Sequence, residues 1–277
     1  MPFAAPPARA RRLPPVPVLL ARVRMPLMWA GTLALAFGGL AGLSWWVRGP
    51  LFVLGLAVYL RLGRVRCAPR TVLPPVRGRW MALAGPAEAV PSLGAHAYGQ
   101  TYALALVAEP ADGARPDVAW RPLSRPPEEF PAFGEPVHAP LAGTVVTVHR
   151  RGRDHRSRTS WPWLVAMVAE TALRELRGPA GLLGNHVVIA ADEGGYLLLG
   201  HLRRGSVVVA PGERVAAGQI VAACGSSGSC AEPQLRLQLM DHSRPLVAAG
   251  LPLRFAPDSF AGPHRDGVPR AWRPFTA

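Results

Sequence analysis

Gln234 and Arg236 are the residues whose types and spacing say most about chemistry in this chain. They stand two apart in Glu232-Pro233-Gln234-Leu235-Arg236-Leu237-Gln238, where apolar and polar residues alternate as in a strand. Side chains two apart on a strand leave the same face and can converge on one ligand. Two imidazoles there would hold a metal ion. Glutamine binds such an ion poorly, and the Arg236 guanidinium has a permanent charge, many donors and no lone pair. The pair is better suited to a carboxylate than to a cation.

Other short motifs surround this strand in a definite order. Pro136-Val137-His138-Ala139-Pro140-Leu141-Ala142-Gly143-Thr144-Val145-Val146 comes first, followed by Gly184-Asn185-His186-Val187-Val188-Ile189 and Gly200-His201-Leu202. Val209-Ala210-Pro211-Gly212-Glu213-Arg214-Val215-Ala216-Ala217-Gly218-Gln219 and Cys224-Gly225-Ser226-Ser227-Gly228 complete the set. From Trp80 to Arg254 the order resembles the core of the LytM/lysostaphin-type zinc metallopeptidases. The resemblance implies a mainly β fold of the duplicated-hybrid-motif type. It also implies an ancestry among enzymes that cut peptide cross-bridges of bacterial peptidoglycan.

In that family zinc is held by a histidine, a downstream aspartate and the last histidine of an H-x-H strand. The first histidine of that pair and a histidine before a leucine assist catalysis. Here these positions fall on Leu93 or His96, Ala105, Arg236, Gln234 and His201 respectively, and only His201 is clearly retained. Two placements of the first ligand are open. A long spacing puts Leu93 and Ala105 at the histidine and aspartate positions, whereas a short H-x-x-x-D spacing keeps His96 and replaces the aspartate by Gln100. Alternating Tyr102, Leu104 and Leu106 predict a strand with residue 105 on its opposite face, which favours the long spacing. Either way the carboxylate is gone.

Three protein ligands and an open position turn a zinc-bound water into a nucleophile, and at most one ligand remains. The expected function is therefore a membrane-anchored, catalytically inactive homologue. It would act as a binding or regulatory module at the cell envelope and need no cofactor. In this reading Arg236, with His96 and His201 nearby, holds a carboxylate of a peptidoglycan peptide or of an envelope protein's acidic segment. The alternative is an active zinc endopeptidase built from His96, His201 and a ligand such as Asp241 or His242.

The chain carries a formal charge of +14, and all 31 of its basic residues are arginine. Such a charge favours anionic surfaces. The arginines are scattered and form no recognised nucleic-acid motif, so nucleic acid is not an expected partner. The absence of lysine excludes one rival for the Pro136–Gly143 hairpin, which also resembles biotinyl and lipoyl carrier domains that load a lysine.

Residues 1–26 are rich in proline, alanine and arginine, and are expected to be a disordered basic segment. Leu27 to Val47 is a run of 21 uncharged residues ending in two tryptophans, long enough for a transmembrane helix. Arg48-Gly49-Pro50 is expected to break that helix, leaving 51–60 as a short apolar segment within a membrane region of 27–62. A single span places the following domain outside the cell, on the bacterial membrane's extracytoplasmic face, whereas a hairpin returns it to the cytoplasm.

A linker at 63–79 then leads to the β domain at 80–256, with a tail at 257–277. Strands are expected at 145–148, 186–190, 196–199, 207–209, 220–223 and 235–239. A helical insertion covers about 150–180, with the helix itself at Trp161–Arg177. That helix packs on the sheet or lies on the membrane. Cys224 and Cys230 flank a tight loop in which a disulfide is one of two readings, and Cys67 is left unpaired.

Overall fold

The computed structural model describes residues 16–113 and 115–277. Its centre is an antiparallel sheet. In spatial order the strands are Pro274–Thr276, Arg79–Ala84, Leu104–Ala108, Leu235–Met240, Tyr196–Leu202, Asn185–Ala191, Gly143–His149 and Arg214–Val215. Gly250–Leu251 pairs beside Leu235–Met240. Period-two alternation sorts the side chains between the faces. Leu235, Leu237 and Leu239 join Leu104, Leu106, Val187, Ile189, Leu197 and Leu199 in the main core, where each buried leucine contributes about 2 kcal/mol. The intervening residues of the same strand, Arg236, Gln238 and Met240, face the other way.

Several boundaries differ from expectation. Residues 207–209 form no strand, and the backbone contact seen there is Val208 N–H donating to Val221 O. The segment expected to be a tail contributes the edge strand Pro274–Thr276, where Phe275 lies opposite Trp80 and is buried with it. Part of the expected linker, Arg70–Val72, pairs in parallel with Leu253–Phe255. Cys224 and Cys230 are free thiols. Cys224 is held by a bridge to Leu202, while the Cys230 sulfur sits 3.6 Å from His155 Nε2.

The amino-terminal apolar run is not one helix. Helix α1 spans Val16–Phe37, a turn follows, and α2 spans Trp45–Leu60. The expected disordered segment lies outside the described residues up to residue 15 and is helical from Val16. Gly42, with φ +70°, helps break the run where a single span was expected. Pro50 removes one backbone bond but does not break α2, which runs through it from Trp45 to Leu60. Gly31 and Gly55 let the two helices touch. A Cβ on Gly31 would lie 2.9 Å from Leu51 O, and one on Gly55 3.0 Å from Leu27 O.

Both feet of this hairpin rest on the β domain. On α1, Arg22 pairs with Asp241 at 2.7 Å, and buried Arg24 donates to the carbonyls of His96, Val58 and Leu62. At the end of α2, the Tyr59 hydroxyl donates to Glu175. The start of α1 and the end of α2 therefore both lie on the domain's side, and the two helices form a hairpin where one helix and a short apolar segment were expected. From Arg24 to Phe37 α1 rises about 20 Å.

Two helices come from the insertion, α3 at Trp161–Glu175 and α4 at Pro179–Leu183. Ser160 precedes α3 and Pro162 lies in its first turn, a position that loses nothing by lacking an N–H.

Candidate functional site

On the polar face of the Leu235–Met240 strand is a cavity of about 300 Å³, lined by Leu93, Ala105, His201, Gln234, Arg236 and Gln100 among others. The sheet register assembles it, since Arg236 lies opposite Ala105 on one neighbour and opposite Gly200 on the other. Met167, Thr171 and Glu175 of α3, with Tyr59 of α2, also line it. The cavity is thus walled by both the insertion and the hairpin without being filled.

Arg236 dominates the electrostatics. Its Nε donates to Gln238 Oε1 at 3.0 Å and its Nη2 to Gln100 Oε1, while Nη1 has no hydrogen-bond partner among the described residues. Both partners are neutral amides. Burial lowers the guanidinium to about 10 against an opposing effect of the Tyr59 phenol, and among the described residues no carboxylate pairs with it. An uncompensated buried cation is costly, which makes this position receptive to an anion. Gln238 is itself fixed, donating to Tyr98 O at 2.7 Å.

His201 is fully buried at the end of its strand and has φ 60°, a left-handed conformation unusual for a non-glycine residue. Its Nδ1 lies 2.8 Å from the Ser227 carbonyl. A carbonyl only accepts, so Nδ1 carries the proton and Nε2 is left as the acceptor. Burial, and secondarily Arg236, pulls the imidazole down to about 3, so the ring is neutral. Glu175 is the acidic group lining the cavity. Burial raises its carboxyl, and the Tyr59 hydrogen bond opposes that shift.

The structure therefore gathers Leu93, Ala105, Gln234, Arg236 and His201 around one space. His96 lies elsewhere. Its Nδ1 is 3.0 Å from Thr101 Oγ1, and its carbonyl receives Arg24. Its backbone N–H donates to the Tyr59 carbonyl of α2 at 3.0 Å. Asp241 and His242 do not join a ligand set either. Asp241 is held by Arg22 and by the Ala249 N–H, and His242 Nδ1 accepts from the Arg244 N–H. Among the described residues no three histidine, cysteine or acidic side chains are grouped to hold a metal. Leu93, Ala105 and Arg236 do not fit zinc, since leucine and alanine offer no donor atom and arginine no lone pair.

Sequence reasoning missed Gln238, Tyr59 and Glu175, and met Gln100 only as a possible aspartate replacement. Gln238 was within reach, because it lies on the same strand face as Arg236. The others arrive from distant segments.

The family model described as peptidase family M23 matches residues 129–247. Among solved structures the chain is similar to the catalytic domain of the prophage-encoded M23 protein EnpA from Enterococcus faecalis. That pair shares 22% identity over 43% of this chain and 68% of the other, with TM-score 0.29. The catalytic domain of lysostaphin from Staphylococcus simulans gives the same identity, coverages and score. The SpoIIQ–SpoIIIAH pore-forming complex matches at 15% identity over 53% of this chain and 60% of the other, with TM-score 0.30. No curated protein matches the sequence.

Proposed function

We propose that this chain, whose residues 129–247 match the model of peptidase family M23, is a membrane-held, non-hydrolytic member of that family that binds a peptide carboxylate. The observation that carries this reading is Arg236. A buried guanidinium with one free edge stands at a former ligand position, supported by neutral amides where a carboxylate partner would otherwise be needed. The cavity suits a peptide terminus. Arg236 Nη1 can donate to a carboxylate, and the acceptor Nε2 of His201 can receive a peptide N–H. A stem of peptidoglycan presents that chemistry to an extracytoplasmic domain, and an acidic segment of an envelope protein presents it on either side of the membrane.

Zinc content tests the loss of hydrolysis. The full chain should purify without zinc, whereas a version carrying Leu93→His, Ala105→Asp, Gln234→His and Arg236→His should bind about one equivalent. One equivalent in the unaltered chain would overturn the proposal and revive the peptidase alternative.

The apolar hairpin supplies the membrane anchor. Helix α1 is long and apolar enough to cross a membrane, and Leu33, Phe37, Leu40, Trp45, Trp46, Val53 and Leu54 are exposed along the hairpin. Its geometry favours a second reading of the domain's side. Arg22, Arg24, Arg61, Arg64 and Arg66 cluster at the feet and Arg48 alone stands near the turn, a bias that favours a cytoplasmic face over the extracytoplasmic one. Cys67 is exposed beside the feet. A membrane-impermeant maleimide should label it only after cell lysis, and labelling of intact cells would restore the extracytoplasmic placement.

A further inference from the structure

Helix α3 is built inside out. At 100° per residue, Trp161, Pro162, Val165, Ala166, Ala169, Ala172, Leu173 and, just past the helix end, Leu176 fall on one arc, and all are exposed. Trp161, Val165, Leu173 and Leu176 are 50%, 78%, 64% and 64% exposed. The polar residues lie on the arc turned to the protein. Glu170 accepts from Arg158 at 2.6 Å and from Arg174 Nε at 2.9 Å, Thr171 meets Ser229 at 2.8 Å, and Glu175 meets Tyr59. A helix facing water has the opposite arrangement, so this face is made for an apolar neighbour.

Two features of the surroundings identify that neighbour. The first is continuity with the membrane hairpin, whose root Tyr59 holds the carboxyl-terminal end of α3 through Glu175. The second is charge. Arg151, Arg153, Arg174 and Arg177 line a concavity of about 430 Å³ beside that end of the helix. The side chains of Arg151, Arg153 and Arg177 make no hydrogen bond or ion pair among the described residues, which leaves them free for phosphate.

We propose that α3 is an in-plane membrane helix, its apolar arc sunk into the interface of a bilayer bearing anionic headgroups and its flanking arginines on their phosphates. Met167, Thr171 and Glu175 on the other side of the same helix line the Arg236 cavity. Docking α3 therefore makes the helix a wall between the bilayer and that cavity, which then lies one helix diameter, roughly 10 Å, from the membrane surface. The inference rests on the anchoring proposed above and adds a second contact to it.

The test uses the full chain with Cys67→Ser, so that Cys224 and Cys230, both buried, are the native thiols left. A polarity-sensitive fluorophore is attached through Leu173→Cys or, as a control on an exposed loop residue, Val208→Cys. The protein is reconstituted in phosphatidylcholine–phosphatidylglycerol vesicles with or without acyl-brominated lipid. The probe at position 173 should be quenched several-fold more than the one at 208, and Val165→Asp with Leu176→Asp should abolish the difference while the chain still floats with the vesicles. Equal quenching in chain that floats would overturn the inference and leave the hairpin anchor standing. A probe at 173 shielded from aqueous quencher but untouched by brominated lipid would also overturn it, showing that a second copy or another protein covers the helix. Failure to float would sink the anchor and the inference together.

Discussion

Arg115 and Arg236 are both withdrawn from water, yet they are treated oppositely. Arg115 makes a two-pronged contact to Glu232, at 3.0 Å through Nε and 2.7 Å through Nη2, and a third to Glu109 at 3.3 Å. Burial alone would lower its guanidinium, but the two glutamates outweigh that and hold it above its usual range. Arg236 is only four residues beyond Glu232, is more deeply buried, and receives amide oxygens alone. Burial lowers its guanidinium to about 10, the Tyr59 phenol opposes that shift, and among the described residues no carboxylate is paired with it. A buried cation with its carboxylates beside it is part of the scaffold. One held ready by neutral groups, with an edge open to a cavity, is poised for a ligand from outside.

Removing a partner or a charge from each site sharpens the contrast. Glu232→Gln removes the two-pronged partner of Arg115, leaves it the weaker contact to Glu109, and should lower unfolding stability by about 2 kcal/mol. Arg236→Gln removes a charge that has no partner and should cost less than about 1 kcal/mol or raise stability. Urea unfolding of the full chain in detergent micelles measures both, and equal losses would erase the distinction.

A smaller effect follows from His201. The unfolded chain takes a proton there near pH 6.5, while the folded chain refuses it until about pH 3. Between those values the unfolded state binds more protons, so stability falls as pH drops, by about 1.4 kcal/mol per pH unit for this group. His201→Gln should flatten the pH dependence by that amount between about pH 6 and pH 4. An unchanged slope would mean that the imidazole is hydrated and that the cavity beside Arg236 is wet.

The sequence revealed the sheet better than what covers it. Strand positions followed from alternation, and the ordered motifs from Gly184 to Gly228 placed Gln234, Arg236 and His201 relative to one another. Leu93 and Ala105 face the cavity because the Leu104–Ala108 strand lies beside Leu235–Met240, a pairing that alternation at Tyr102, Leu104 and Leu106 only suggested. What stayed hidden was decided by long-range packing. An uncharged run long enough for one span hides a turn at Gly42, and the two helices it separates pack together because Gly31 and Gly55 let them cross closely. The arcs of α3 can be read from its residues, but their polarity gives no warning that the charged arc faces inward. That orientation is set by Arg158, Ser229 and Tyr59, which come from three other segments.

Calorimetric titration of N-acetyl-alanyl-alanine into the full chain in lipid nanodiscs tests the central claim most directly, with the carboxamide of the same dipeptide as control. The free acid should bind the unaltered chain, the carboxamide should not, and Arg236→Gln should abolish binding of the acid while the fold persists. Equal binding of acid and carboxamide, or undiminished binding by Arg236→Gln, would contradict a carboxylate site at Arg236.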